Sequence, residues 1–85
     1  MTGFKKFFNK LQVGQPLIIK ANALRRTPFT ENEGYVELAG QLVTVYKKLP
    51  KGTDPNTGRW FDGDSCLVSY NNQIFYINNT DIDYE

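Results

Sequence analysis

Four oxygen-bearing side chains, Asp54, Asn56, Asp62 and Asp64, fall within residues 54–64 and invite a calcium reading. The helix–loop–helix calcium loop needs a glycine at its sixth position and a bidentate glutamate at its twelfth. Counted from Asp54, those positions hold Arg59 and Ser65, so the pattern fails and no metal ligand is assigned. Asp62 and Asp64 are spaced two apart, as are Asp81 and Asp83, which is compatible with a general acid/base pair. Aspartates beside turn residues more commonly cap the chain and keep it soluble. The chain has no histidine and one cysteine, Cys66. That removes Ser–His and Cys–His couples, imidazole ligands and zinc fingers. No phosphate-cradling glycine loop is present. The reading is therefore non-enzymatic, with no catalytic residue, no metal and no cofactor.

Binding chemistry is better represented. Arg59, Trp60 and Phe61 are consecutive in a long polar loop, and Trp and Arg are the residue types that anchor interfaces. Phe29 lies in a second loop and is a further partner-binding candidate. Trp60 has an alternative use, folding back to plug a core, and Phe29 can likewise be tucked under its loop. Charge suggests another partner. Residues 1–30 hold Lys5, Lys6, Lys10, Lys20, Arg25 and Arg26 and no acid, whereas residues 31–85 hold four basic and nine acidic residues. A basic third of this kind can track phosphates, with Trp60, Tyr70, Phe75 and Tyr76 as stacking faces, so RNA or single-stranded DNA is the alternative ligand. The formal net charge of +1 argues for the protein partner, because dedicated nucleic-acid binders are strongly basic.

The element that must position these groups is the stretch 65–77. Two β-rich runs, Ser-Cys-Leu-Val-Ser-Tyr and Gln-Ile-Phe-Tyr-Ile, flank Asn71-Asn72. Asparagine tolerates the left-handed conformation that a two-residue hairpin turn needs. The hairpin sets Tyr70 against Gln73, Val68 against Phe75 and Cys66 against Ile77 on one face, predicted to look into a core. Leu67, Ser69, Ile74 and Tyr76 take the other face.

Earlier in the chain, Phe4, Phe7, Phe8 and Leu11 recur at helical spacing and predict an amphipathic helix over 3–12. Gly14 and Pro16 end it. Its Phe stripe either covers a sheet, docks a partner or lies on a membrane surface. Strands are expected at about 17–26, 35–39 and 41–48, in addition to 65–70 and 73–77. Gly40 is expected to bend the second run, with Val36 and Leu38 inward before it, Val43 and Val45 inward after it, and Lys47-Lys48 in solvent. Residues 50–64 read as a loop, with a turn over 54–58 in which proline sets φ, asparagine bonds back and glycine takes the strained position. Residues 78–81 read as a turn or one helical turn, with Ile82 and Tyr84 covering a barrel end.

Eighty-five residues make one domain, 1–85, with one modest core. At 40% hydrophobic and 14% aromatic residues, the composition excludes a disordered chain. A lone cysteine on an apolar face behaves as a small hydrophobe and fits a reducing, cytoplasmic compartment. No segment reaches the ~18–20 apolar residues of a membrane span, and the first residues lack the apolar run of a signal peptide.

The expected class is mainly β, α+β at the margin: about five antiparallel strands with a short N-terminal helix. Residues 34–83, with the bend at Gly40, the long loop, the Asn71-Asn72 hairpin and the closing turn at 79–81, resemble an SH3-like or KOW-type small β-barrel. The peptide-groove aromatics of SH3 domains have no counterpart here, so proline-rich ligands are not implied. Size, asparagine richness and the absence of catalytic motifs also resemble the small accessory proteins of tailed bacteriophages. That resemblance implies an inhibitor or modulator of a host protein, acting in the host cytoplasm.

Overall fold

The computed structural model describes residues 3–23 and 34–84. It contains one helix, α1 (Gly3–Lys10), and seven strands: β1 (Pro16–Ile19), β2 (Leu42–Leu49), β3 (Gly52–Thr53), β4 (Trp60–Phe61), β5 (Ser65–Tyr70), β6 (Gln73–Asn78) and β7 (Ile82–Asp83). Five strands form one antiparallel sheet in the order β6-β5-β2-β1-β7, curled into a half-barrel, and β3-β4 form a separate ribbon. The class is mainly β, as expected.

The β5–β6 hairpin forms as the sequence predicts. Asn71 and Asn72 sit at φ 50° and 63°, the mirror-image turn that follows the strands' twist. The register pairs Tyr70 with Gln73, Val68 with Phe75 and Cys66 with Ile77. Cys66, Val68, Phe75 and Ile77 are fully buried, while Tyr70 and Gln73, nearest the turn, are half-buried. Alternation extends the same core across the sheet. Val43 and Val45 on β2, and Leu17 and Ile19 on β1, point inward with them. A 3-10 turn over Asn79–Asp81 carries the chain from β6 to β7, where Ile82 enters the core.

The helix closes the open side of this core. Phe4, Phe8 and Leu11 are buried in the core cluster, and Phe7 packs at its margin. Tyr84 meets Phe4 edge-on at 5.4 Å between ring centroids, so the C-terminal strand and the N-terminal helix hold each other. This is the sheet-covering use of the Phe stripe. No helix among the described residues is long and apolar enough to cross a membrane.

Several expectations are corrected. The helix ends at Lys10, two residues early, although Leu11 remains on its buried face. The first strand stops at Ile19: Lys20 donates its N–H to Asp81 O and the chain turns, with Ala23 N–H bonding back to Lys20 O. Residues 35–39 form no strand beyond a single bridge at Val36. Leu38 is nonetheless fully buried and Val36 half-buried, so the inward assignments stand without the ladder. Gly40 is a turn residue at φ 72° and not a bend within a strand; its N–H reaches Ile19 O at 3.0 Å. The bulge lies between Val45 and Lys47, where Tyr46 drops out of register with β5. It rotates the end of β2, so Lys47 and Lys48 are half-buried instead of solvated. Strands β3, β4 and β7 were read as loop or terminal segment. The expected ends of the first strand, residues 24–26, lie outside the described residues, as do Arg25, Arg26 and Phe29.

Candidate functional site

The β3–β4 ribbon folds over the outer face of the main sheet and is built from a rigid turn. The Asp54 carboxylate accepts the Asn56 N–H at 3.1 Å and the Thr57 hydroxyl at 3.0 Å. The backbone closes the same loop through Gly58 N–H to Asp54 O and Asp54 N–H to Arg59 O, both at 2.8 Å. Gly58 takes φ 73°, in the left-handed region that favours glycine. The Asn56 N–H holds the Asp54 carboxyl below the usual carboxylate range; partial desolvation opposes this, and Thr57 and Lys47 reinforce it. Lys47 Nζ lies 3.6 Å from the same carboxylate and ties the loop to β2.

Alternation along β4 then separates two aromatic rings. Phe61 turns toward the sheet, where it lines a small hollow with Leu49 and Leu67. Those two leucines are buried, yet they lie outside the main core and form a satellite cluster on the outer face. Phe61 also stacks on Tyr76 of β6, with centroids 6.0 Å apart and planes 17° from parallel. The Arg59 guanidinium stands 6.0 Å over the Phe61 ring. Trp60, the next residue along, points the other way and is 64% exposed. An open depression of about 430 Å³ is lined by Arg59, Trp60, Phe61, Asp62 and Tyr76.

The three consecutive candidates Arg59, Trp60 and Phe61 are thus brought together, and Trp60 does not plug the core. Tyr76 completes the shelf. Its place on the outer face was readable from the hairpin alternation, but its contact with Phe61 was not, because the two are distant in sequence.

Among the described residues, the basic candidates Lys5, Lys6, Lys10 and Lys20 are not gathered into one stripe. Lys5 Nζ pairs with Asp64 at 3.0 Å and lies 5.8 Å from the Phe8 ring centroid. Lys6 and Lys10 are exposed on α1. Lys20 lines a different depression with Phe4, Asn79, Thr80 and Tyr84. One later cation joins Lys5: Lys48 Nζ is 4.8 Å from the Phe8 centroid, while Lys51 contributes its backbone N–H, which donates to Asp64 at 2.9 Å. Asp64 is therefore a staple between α1 and the start of the β3 ribbon, and its partner in spacing, Asp62, lines the aromatic shelf instead.

Cys66 is fully buried, and burial pushes its thiol up to about 11, with Asp64 adding to the shift and Lys48 opposing it. A thiol of that kind is not a nucleophile at neutral pH. We expect no labelling of the native protein by a disulfide reagent at pH 7–8 over minutes, and one equivalent of release on unfolding in denaturant. Rapid labelling of the folded chain would show that the β5 core opens. Among the described residues, no three His, Cys, Asp or Glu side chains converge as metal ligands.

Comparison of the chain with protein-family models, with curated proteins and with solved structures found no match.

Proposed function

We propose that this chain is a non-enzymatic binding module of SH3-like architecture that grips a protein partner with the Arg59–Trp60–Phe61–Tyr76 shelf. The observation that carries the reading is the exposure of Trp60 on a braced turn. An indole left 64% exposed on a small domain forgoes burial that a partner would supply. The Asp54 turn holds it in place beforehand, which lowers the entropic cost of binding. Support for the architecture comes from the strand order. Three antiparallel neighbours, β2, β5 and β6, follow one another, and β1 pairs with the short strand that succeeds the 3-10 turn. That order in a curled five-stranded sheet is compatible with a small β-barrel and supports the SH3-like reading. The additional resemblance to phage accessory proteins makes a bacterial host protein the partner class we propose, in the host cytoplasm.

The nucleic-acid reading has weaker support, because Lys5 engages Asp64 and Lys20 lies with a separate group of residues.

Capture from bacterial lysate with wild type and Trp60→Ala in parallel tests the proposal. A partner recovered by wild type should bind the variant about thirty-fold more weakly, the effect of losing about 2 kcal/mol at a hot spot. Equal recovery by both, with thermal unfolding unchanged, rejects the shelf as the binding surface.

A further inference from the structure

The outer edge of β6 offers a second surface, which meets the shelf at Tyr76. A two-residue turn closes on a hydrogen-bonded pair, here Tyr70 and Gln73. Alternation then commits the backbone groups of Gln73, Phe75 and Ile77 to β5. Those of Ile74, Tyr76 and Asn78 point away from it, Asn78 being also the cap of the 3-10 turn. β6 is the end strand of the sheet, and among the described residues no backbone bond outside the β5 ladder reaches Ile74 or Tyr76.

Exposed edges are ordinarily blunted by charge, proline, bulging or brevity. The opposite edge, β7, is short and acidic, being Ile82 and Asp83 alone. β6 has none of these devices. Its six residues, Gln-Ile-Phe-Tyr-Ile-Asn, carry no charge and no proline, and the register with β5 runs without a shift.

We propose that the β6 edge is a homodimer interface, occupied by β6 of a second copy of this chain in antiparallel register about Phe75. The choice of occupant rests on self-complementarity. With Phe75 on the two-fold axis, Ile74 of each copy lies opposite Tyr76 of the other. The outward N–H and C=O groups of Ile74 and Tyr76 in each strand then close about four hydrogen bonds. The side chains form two aromatic–β-branched cross-strand pairs on the outer face, a favoured combination. No like charges meet, because the strand has none. The two half-barrels continue into one sheet. An edge pairing of this length buries less than a standard interface of roughly 1,600 Å², so the dimer is weak and dissociates on dilution.

The experiment is gel filtration with light scattering on the intact chain between about 10 μM and about 1 mM, the range over which a contact of this size dissociates. Wild type should approach twice the monomer mass at the top of the range. Ile74→Lys, which places a charge on the edge and changes none of the four shelf residues, should stay monomeric throughout with its circular dichroism preserved. Amide exchange gives a readout that does not depend on the variant folding. In wild type, the Ile74 and Tyr76 amides should slow at high concentration, while those of Gln73 and Phe75, already bonded to β5, should not. Monomer mass at every concentration with unchanged exchange at Ile74 and Tyr76 overturns the proposal and leaves the edge to a strand of another protein. A dimer that Ile74→Lys does not weaken, with those two amides unaffected, places the interface elsewhere and also overturns it. Loss of Trp60-dependent capture bears on the shelf alone.

Discussion

Phe8→Ala is expected to lower the unfolding free energy by about 3–5 kcal/mol, the usual cost of emptying a buried aromatic site. Phe8 is 2% exposed in the core cluster. Its ring also carries the Lys48 ammonium at 4.8 Å and the Lys5 ammonium at 5.8 Å, contacts that alanine removes. A domain of this size has roughly 5–15 kcal/mol in total, so the variant should be close to unfolding at room temperature. Phe7→Ala, one position away and only half-buried, should cost about 1–2 kcal/mol. Urea denaturation of both variants measures the difference as a fall in midpoint at constant slope. The comparison separates two roles for α1. A helix that packs on the sheet gives the large Phe8 effect. A helix held away from the sheet for a partner would give small and equal effects at both positions.

Asp64 should give the second-largest effect, and one that depends on pH. Its carboxylate is 9% exposed and accepts the Lys51 N–H at 2.9 Å and the Lys5 ammonium at 3.0 Å. Burial by itself would raise the carboxyl. The Lys51 bond, Lys5 and Lys48 outweigh it, and the group sits below its ordinary value. A carboxyl depressed in the folded state stabilises the fold fully above the unfolded value of about 3.9. That contribution is lost as pH falls through the lower folded value. Asp64→Ala should therefore cost about 1.5–3 kcal/mol at pH 7, mostly through the Lys51 bond, since the Lys5 ammonium is 43% exposed and its pairing is screened. The variant should unfold less steeply than wild type on acidification below about pH 4. Denaturant titrations of the two proteins at pH 7, 4 and 2.5 check both the size and the sign. Parallel acid slopes would show that Asp64 does not titrate with folding.

Phe8 and Asp64 differ in how far the local sequence determines their roles. The Phe4, Phe7, Phe8 and Leu11 stripe identified a helix and its buried face, because residues three and four apart must share a side. By its local sequence Asp64 is a capping and solubility device beside a turn. Its actual role depends on Lys5, fifty-nine positions away, and no local pattern encodes that pairing.

The same division runs through the whole fold. Where a backbone angle or a period settles the structure, the sequence alone was sufficient. Asn71 and Asn72 turn the hairpin because they accept positive φ, and strict alternation then fixes which of Cys66, Val68, Phe75 and Ile77 go inside. Asp54, Pro55, Asn56 and Gly58 make their turn for equally local reasons. Where two segments compete for one partner, only the tertiary structure decided. Residues 35–39 have strand-like alternation, yet β1 is flanked by β2 and β7, so they contribute Leu38 to the core without joining the ladder. The bulge falls at Tyr46, within the pairing of β2 with β5, and not at Gly40. Trp60 faces solvent because Phe61 won the inward place, against Leu49, Leu67 and Tyr76. Local rules say that two consecutive strand residues face opposite ways; which of them is covered depends on a surface assembled from other strands.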